Sequence, residues 1–205
     1  VYKRQLRLTG YFSALAGTLF WVWGRPLAQL LYHSPEAGFY LEILAPAMPL
    51  MYLESMVDGA MKGIGEQKAA FRYSVWDAVL RIGGVAVLLP RYGMRGFLAV
   101  ILLSSFYTCT ANTGRLLLSS GTGHAFRSWL GAPLLAAAAA GAAGRGVRRA
   151  LAGFPAQELA GQLAVLTAGG TVTAIVFLLA ALPLGLWEEV RALLRQAKTG
   201  KNRGK

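Results

Sequence analysis

The chain has 205 residues, 55% of them apolar, with a mean hydropathy of +0.46 and a net charge of +12. The hydropathy excludes an ordinary soluble domain, and the length is too short for several domains. Because a membrane-spanning helix needs about 20 mainly apolar residues, the composition predicts an all-α integral membrane protein. The basic residues lie in turns and in a tail, where anionic lipid explains them, so nucleic acid is not expected as a partner.

Six apolar spans follow one another along the chain and predict a six-helix transmembrane bundle. The spans cover residues 8–32, 39–61, 70–89, 94–118, 128–143 and 159–186. The second span contains Pro46 and Pro49. Each proline removes a backbone donor from the helix, so we expect a kink near the middle of this span.

The two ends of the chain are set apart from this bundle. Residues 1–7 are interpreted as the edge of a fragment, within which 1–5 resemble translated adapter sequence. Residues 188–205 are predicted to form a basic cytoplasmic tail, so that 8–187 make up one membrane lobe.

Lysine and arginine are distributed unevenly between the two sides of the predicted bundle. With the start of the first span in the cytoplasm, 14 of them lie on the inner side and 6 on the outer side. The positive-inside rule therefore favours a multi-pass protein of the cell (cytoplasmic) membrane with both ends inside. A cluster of Arg145, Arg148 and Arg149 on the outer side runs against this trend.

Features of a soluble enzyme are sparse. His33 and His124 lie in separate turns on opposite predicted sides of the membrane, and the single cysteine, Cys109, lies within an apolar span. The sequence shows neither metal-ligand spacing nor a phosphate-binding loop. We predict that the protein is not an enzyme and that it has no metal site.

Charged residues within the second and third spans are more informative. Glu54 and Asp58 are four residues apart and share one helix face, as do Asp77 and Arg81. Each charge costs about 2.5–3.5 kcal/mol to insert, so such residues are either paired or functional. The helical rise places Glu54 and Arg81 at similar depth, roughly 12–14 Å from the connecting turn, which makes a contact between them feasible. The alternatives are a structural ion pair and the wall of a charged cavity.

A polar stripe follows one face of the fourth span. It consists of Ser104, Thr108 and Asn112, with Ser105, Tyr107 and Thr113 beside it. Such residues often form hydrogen bonds between membrane helices, and the alternative interpretation is a cavity lining.

The run LAPAMPLMYLESMVDGAMKGIGEQKAAFRYSVWDAVLRIGGVAVLLPRYGMRGFLAVILLSSF carries a family resemblance. It resembles the carboxyl-terminal lobe of the multidrug/oligosaccharidyl-lipid/polysaccharide (MATE-like) exporter superfamily, and is most similar to the stage V sporulation protein B and polysaccharide-flippase branch. The match covers residues 41–121 and rests on two turns with small residues. The matching residues are Gly59, Gly63, Gly65 and Lys68 in the first turn and Pro90, Tyr92, Gly93 and Gly96 in the second.

This resemblance implies one lobe of a two-lobe transporter, with the missing amino-terminal lobe of the same protein as its partner. It implies a flippase that moves a lipid-linked oligosaccharide or peptidoglycan precursor across the membrane by alternating access. The process served would be polysaccharide, cell-wall or spore-cortex synthesis. No cofactor is implied other than a coupling ion, H⁺ or Na⁺.

The expected cavity residues follow from the chemistry of a diphosphate head group. Basic residues would bind the phosphates and acidic residues a coupling ion or sugar hydroxyls. The candidates are Arg81, Lys62 and Lys68 for phosphate, Glu54, Asp58 and Asp77 for the ion or the sugar, and Asn112 and Thr108 for the lining.

Two other functions remain open. In a cation-coupled multidrug exporter of the same fold, the acidic residues would form the site and Arg81 would be only a counter-ion. A non-transporting membrane scaffold would have no polar cleft.

Overall fold

The computed structural model describes residues 2–120, 131–151, 159–187 and 191. This part of the chain is helical and contains no strand, so the all-α prediction is confirmed. Its α-helices are α1 (Tyr2–Tyr32), α2 (Pro35–Leu44), α3 (Met48–Gly63), α4 (Gln67–Tyr92), α5 (Met94–Ser120), α6 (Ala132–Leu151) and α7 (Leu159–Ala181). A π-helical turn, Leu182–Leu186, continues α7. Apart from Arg191, the predicted basic tail lies outside the described residues.

The second predicted span is divided into two α-helices at its prolines. Helices α2 and α3 are joined by a 3₁₀ turn, Ala45–Ala47, which contains Pro46 and precedes Pro49. Neither proline has an N–H to donate to the carbonyl four residues earlier, so the α-helical hydrogen bonding is interrupted here. The α-helical hydrogen bonding therefore breaks off where the kink was predicted.

The fifth span differs from its predicted range of 128–143. Helix α6 runs to Leu151, and Arg145 and Arg148 lie within it rather than in a loop. Their long side chains reach α1, where the Arg145 guanidinium lies 3.8 Å from the centroid of the Trp21 ring. The Arg148 Nη1 donates to the Val22 carbonyl at 2.7 Å. These contacts hold the basic end of the helix against α1.

Helix α1 packs between two groups of helices. Its Leu6 belongs to a core shared with α3, α4 and α5, whereas Tyr11 and Ala14 belong to a second core shared with α6 and α7. The Tyr11 hydroxyl donates to the Leu184 carbonyl at 2.7 Å. Helix α1 is therefore the element that joins the two halves of the bundle.

Two hydroxyls buried on α1 are bonded within that helix. Ser13 Oγ donates to the Gly10 carbonyl at 3.1 Å, and Thr18 Oγ1 donates to the Ala14 carbonyl at 2.7 Å. Both hydroxyls therefore donate their hydrogen bonds without a partner on another helix.

Glycines on α7 permit one close approach to α1. A Cβ at Gly169 would overlap the indole ring of Trp23, whereas a Cβ at Gly170 would meet nothing within 4 Å. Trp23 Nε1 also donates to Thr173 Oγ1 at 3.1 Å. The indole is therefore held in a slot that a larger residue at position 169 would fill.

Within the described residues, three helical segments are long and apolar enough to cross a membrane: Gln67–Tyr92, Met94–Leu118 and Ala160–Leu186. Much of their apolar surface is open, as Phe71, Trp76 and Ile82 on α4 illustrate. Exposed apolar surface of this extent is typical of contact with lipid or with another apolar partner. These segments indicate a membrane protein, and a bundle of six membrane spans stays a prediction.

The contacts also group the termini of the helices into two ends of the bundle. Arg115 on α5 binds Glu66 at the α3–α4 turn at 3.0 Å, close to Lys68 in the sequence. At the opposite end of α5, the Arg95 guanidinium lies over the Phe39 ring of α2 at 5.8 Å. Lys68 and Tyr92, at the two ends of α4, therefore lie at opposite ends of the bundle.

We expect the cysteine introduced by Lys68→Cys to lie on the cytoplasmic side and that introduced by Tyr92→Cys on the external side, because of the charge asymmetry of the sequence. The test is labelling by a membrane-impermeant maleimide in intact cells that express the full-length protein without its native cysteines. Position 92 should react directly and position 68 only after permeabilisation. Labelling of position 68 in intact cells would reverse the orientation. Lys205, predicted on the same side as Lys68, lies outside the described residues.

Candidate functional site

A polar cluster lies where α3, α4 and α5 meet. It is supplied by Glu54 on α3, Asp77 and Arg81 on α4, and Ser104 and Thr108 on α5. Both pairs of neighbours, on α4 and on α5, are four residues apart, so each pair projects from one face of its helix. The two faces meet because α4 and α5 form a hairpin.

Ser104 bridges the charged pair on α4. Its Oγ accepts from Arg81 Nη2 at 2.8 Å and from Nε at 3.2 Å, and it donates to Asp77 Oδ1. Arg81 Nη2 also lies 3.0 Å from Asp77 Oδ2. The guanidinium is thus fixed by an acid on its own helix and by a hydroxyl on the next helix.

The two members of this pair differ in exposure. The Asp77 side chain is only 14% exposed, whereas the Arg81 side chain is 48% exposed. The contacts of Arg81 use Nε and Nη2, and Nη1 makes no hydrogen bond to any residue that the structure describes. One edge of the guanidinium is therefore open to an external anion, for which its donor geometry is suited.

Glu54 does not form the ion pair with Arg81 that its depth made feasible. Arg81 pairs with Asp77 instead, because residues four apart on one helix meet whatever the rotation of the neighbouring helix. Glu54 lies beside Thr108, within electrostatic range of Asp77 and Arg81. Among the described residues it has no ion-pair partner.

The other predicted cavity residues lie outside this cluster. Asp58 is bound by Lys62 at 2.6 Å. Asn112, one turn beyond Thr108 on α5, is 2% exposed, and its Oδ1 has no partner among the described residues. Lys68 is exposed at the start of α4, 13 residues and about 20 Å from Arg81, so it does not share a phosphate-sized site with Arg81.

Ser104 is the residue of this site that was absent from the predicted cavity set. The sequence placed it in the polar stripe of the fourth span but did not show which side chain it faces. The signal that could have identified it is its spacing: Ser104 and Thr108 repeat the four-residue interval of Asp77 and Arg81 on the preceding helix. In a hairpin of helices, two such faces can meet.

Comparison with known proteins gives one informative similarity. No family model and no solved structure matches the chain. Over 118 residues the chain is 28% identical to the sporulation protein YkvU of Bacillus subtilis (strain 168), an alignment that covers 58% of this chain and 25% of that protein. The aligned part thus corresponds to about a quarter of the relative's length. The similarity fits a sporulation context loosely, and membership of the exporter superfamily stays a prediction.

Proposed function

We propose that the chain is one lobe of a membrane flippase that moves a lipid-linked oligosaccharide or peptidoglycan precursor across the cytoplasmic membrane. The observation that carries this proposal is the Arg81 guanidinium, held by Asp77 and Ser104 with one edge open, on a helix of membrane-spanning length. A fixed guanidinium with free donors suits the diphosphate of such a lipid.

The position of α4 supports the same proposal. Apart from its contacts with α5 and the end of α3, this helix is exposed along most of its length. In a transporter of two lobes, the substrate binds in the cleft between them. A second lobe packed beside α4 would make Arg81 part of the cleft wall, with the lipid tail of the substrate remaining in the bilayer.

The sporulation name of the relative supports a role in the envelope of the spore. On this proposal the precursor would serve polysaccharide, cell-wall or spore-cortex synthesis, and the amino-terminal lobe of the same protein would complete the transport path.

One observation favours a second candidate, a cation-coupled multidrug exporter. Glu54 lies among apolar helices without an ion-pair partner in the described residues, while Asp58 and Asp77 are each paired with a basic residue. An unpaired carboxylate at this depth is suited to a coupling H⁺ or Na⁺. In that exporter Glu54 would be essential and Arg81 would serve only to neutralise Asp77.

Glu54→Gln separates the two candidates. For the flippase, we expect the full-length protein in vesicles to move a fluorescent polyprenyl-diphosphate sugar between leaflets. The Glu54→Gln variant should retain most of that activity, because the phosphate contact is intact. For the exporter, we expect ion-driven transport of a cationic dye, which the variant loses because an amide cannot exchange a proton or carry a charge.

The matched control is Glu36→Gln, at an exposed carboxylate on α2. It should leave either activity unchanged. Movement of the dye without movement of the sugar lipid would replace the flippase with the exporter.

A further inference from the structure

A cavity lined by arginines and amides lies between α1, α6 and α7, away from the polar cluster around Arg81. Its volume is about 580 Å³, and none of its lining residues belongs to α3, α4 or α5. Arg25, Arg148 and Arg149 line it together with the amides Gln29 and Gln162. No acidic residue is among its described lining residues.

The arginines give this cavity a net positive charge. Arg25 is balanced by Glu42, whose Oε2 lies 2.6 Å from the Arg25 Nε. Arg148 binds only a backbone carbonyl, that of Val22, and neither Arg148 nor Arg149 forms an ion pair with a described residue. Two guanidinium charges are therefore left without a counter-charge in the part of the chain that the structure describes.

The cavity also has an apolar wall. It includes Trp23 on α1 and Val165 and Leu166 on α7. Val165 and Leu166 belong to the first turns of a segment, Ala160–Leu186, that is long and apolar enough to span a membrane. The cavity thus lies where an apolar helix begins, which is the level of lipid head groups when that helix spans a bilayer.

We propose that this cavity binds the phosphate group of an anionic lipid. Arg148 and Arg149 would hold the phosphate oxygens, Gln29 and Gln162 would donate to the ester oxygens, and the apolar wall would contact the first carbons of the lipid chains. A bound phosphate also accounts for an arginine cluster on the side that is otherwise poor in basic residues. The proposal does not depend on the transport activity.

Arg149→Gln tests this site, because Arg149 is exposed and makes no hydrogen bond or ion pair with any described residue. Phosphatidylglycerol is titrated into the full-length protein in detergent, and bound lipid is counted by native mass spectrometry. We expect phosphatidylglycerol to bind about tenfold more tightly than zwitterionic phosphatidylcholine, and Arg149→Gln to weaken it about tenfold. The melting temperature without added lipid should not change.

The matched control is Arg91→Gln, at an exposed arginine at the end of α4, outside the cavity. It should bind phosphatidylglycerol like the wild type.

Competition by a polyprenyl diphosphate identifies the source of the phosphate: displacement of one phosphatidylglycerol points to the lipid-linked sugar, and retention points to bilayer phospholipid. Unchanged binding by Arg149→Gln and by Arg148→Gln with Arg149→Gln would overturn the proposal, as would equally tight binding of inorganic phosphate alone.

Discussion

Arg81→Lys is expected to lower transport by the full-length protein about ten- to a hundredfold while its amount in the membrane stays near normal. Lysine keeps the positive charge beside Asp77 but loses the planar set of donors that binds Ser104 and leaves one edge open. A lost hydrogen bond to a charged group costs about 1.5–3 kcal/mol, which corresponds to this range. The measurement is the rate of lipid-sugar movement in vesicles, normalised to reconstituted protein.

Alanine at the same position separates substrate contact from ion pairing. Arg81→Ala should lower protein abundance as well, because it leaves the largely enclosed Asp77 without a cation, at a cost of about 3 kcal/mol or more. Adding Asp77→Ala should restore abundance but not transport, whereas adding Glu54→Ala should restore neither. Normal transport by the Arg81→Ala, Asp77→Ala protein would show that the pair serves only to pack α4.

The second large effect is expected at Gly169, where α7 passes the Trp23 ring. Gly169→Ala should destabilise the protein by about 1–3 kcal/mol, since the new methyl group overlaps a ring that is 4% exposed and bonded to Thr173. For a domain of this size, that is a fall of roughly 2–12 °C in the melting temperature. Thermal unfolding of the purified protein in detergent measures it.

The neighbouring Gly170 supplies the control. Gly170→Ala meets nothing within 4 Å and should leave stability unchanged or raise it by up to about 1 kcal/mol, because alanine has the higher helix propensity. Combining Gly169→Ala with Trp23→Phe should recover part of the loss, since the smaller ring leaves room for the methyl group. Equal melting temperatures for the two alanine variants would contradict the packing described for α1 and α7.

Much of the fold could be predicted because hydropathy and proline act locally. The apolar spans identified the helices, and Pro46 and Pro49 identified the break between α2 and α3. The end of α6 was missed for a physical reason: Arg145 and Arg148 suggest a polar loop when only their charge is considered. Their alkyl stems let them stay helical while the guanidinium groups reach α1.

The candidate site was predictable only in part: Glu54, Asp77, Arg81 and Thr108 were among the expected cavity residues, whereas Ser104 and the pairing were not. Spacing along one helix placed Asp77 beside Arg81, yet the rotation of α3 against α4, which decides whether Glu54 also meets Arg81, depends on packing between helices. The basic cavity was harder still. Its arginines at positions 25 and 149 are more than a hundred residues apart, and no local pattern connects them.

The position of α1 between two cores has a consequence for how the chain is assembled. Tyr11 meets the Leu184 carbonyl 173 residues later in the sequence. At a synthesis rate of about 5–20 residues per second, the ribosome needs roughly 9–35 s to make the intervening chain. Until α7 has been made, the face of α1 that contacts α7 lacks that partner, although α6 is synthesised earlier.

Helix α1 is suited to this delay. The hydroxyls of Ser13 and Thr18 already donate to carbonyls of their own helix, so they need no partner from α6 or α7. The Tyr11 hydroxyl and the Trp23 indole are different, because they find Leu184 and Thr173 only after synthesis of α7. These two late bonds make completion of α7 and of the turn after it the step that locks α1 in place.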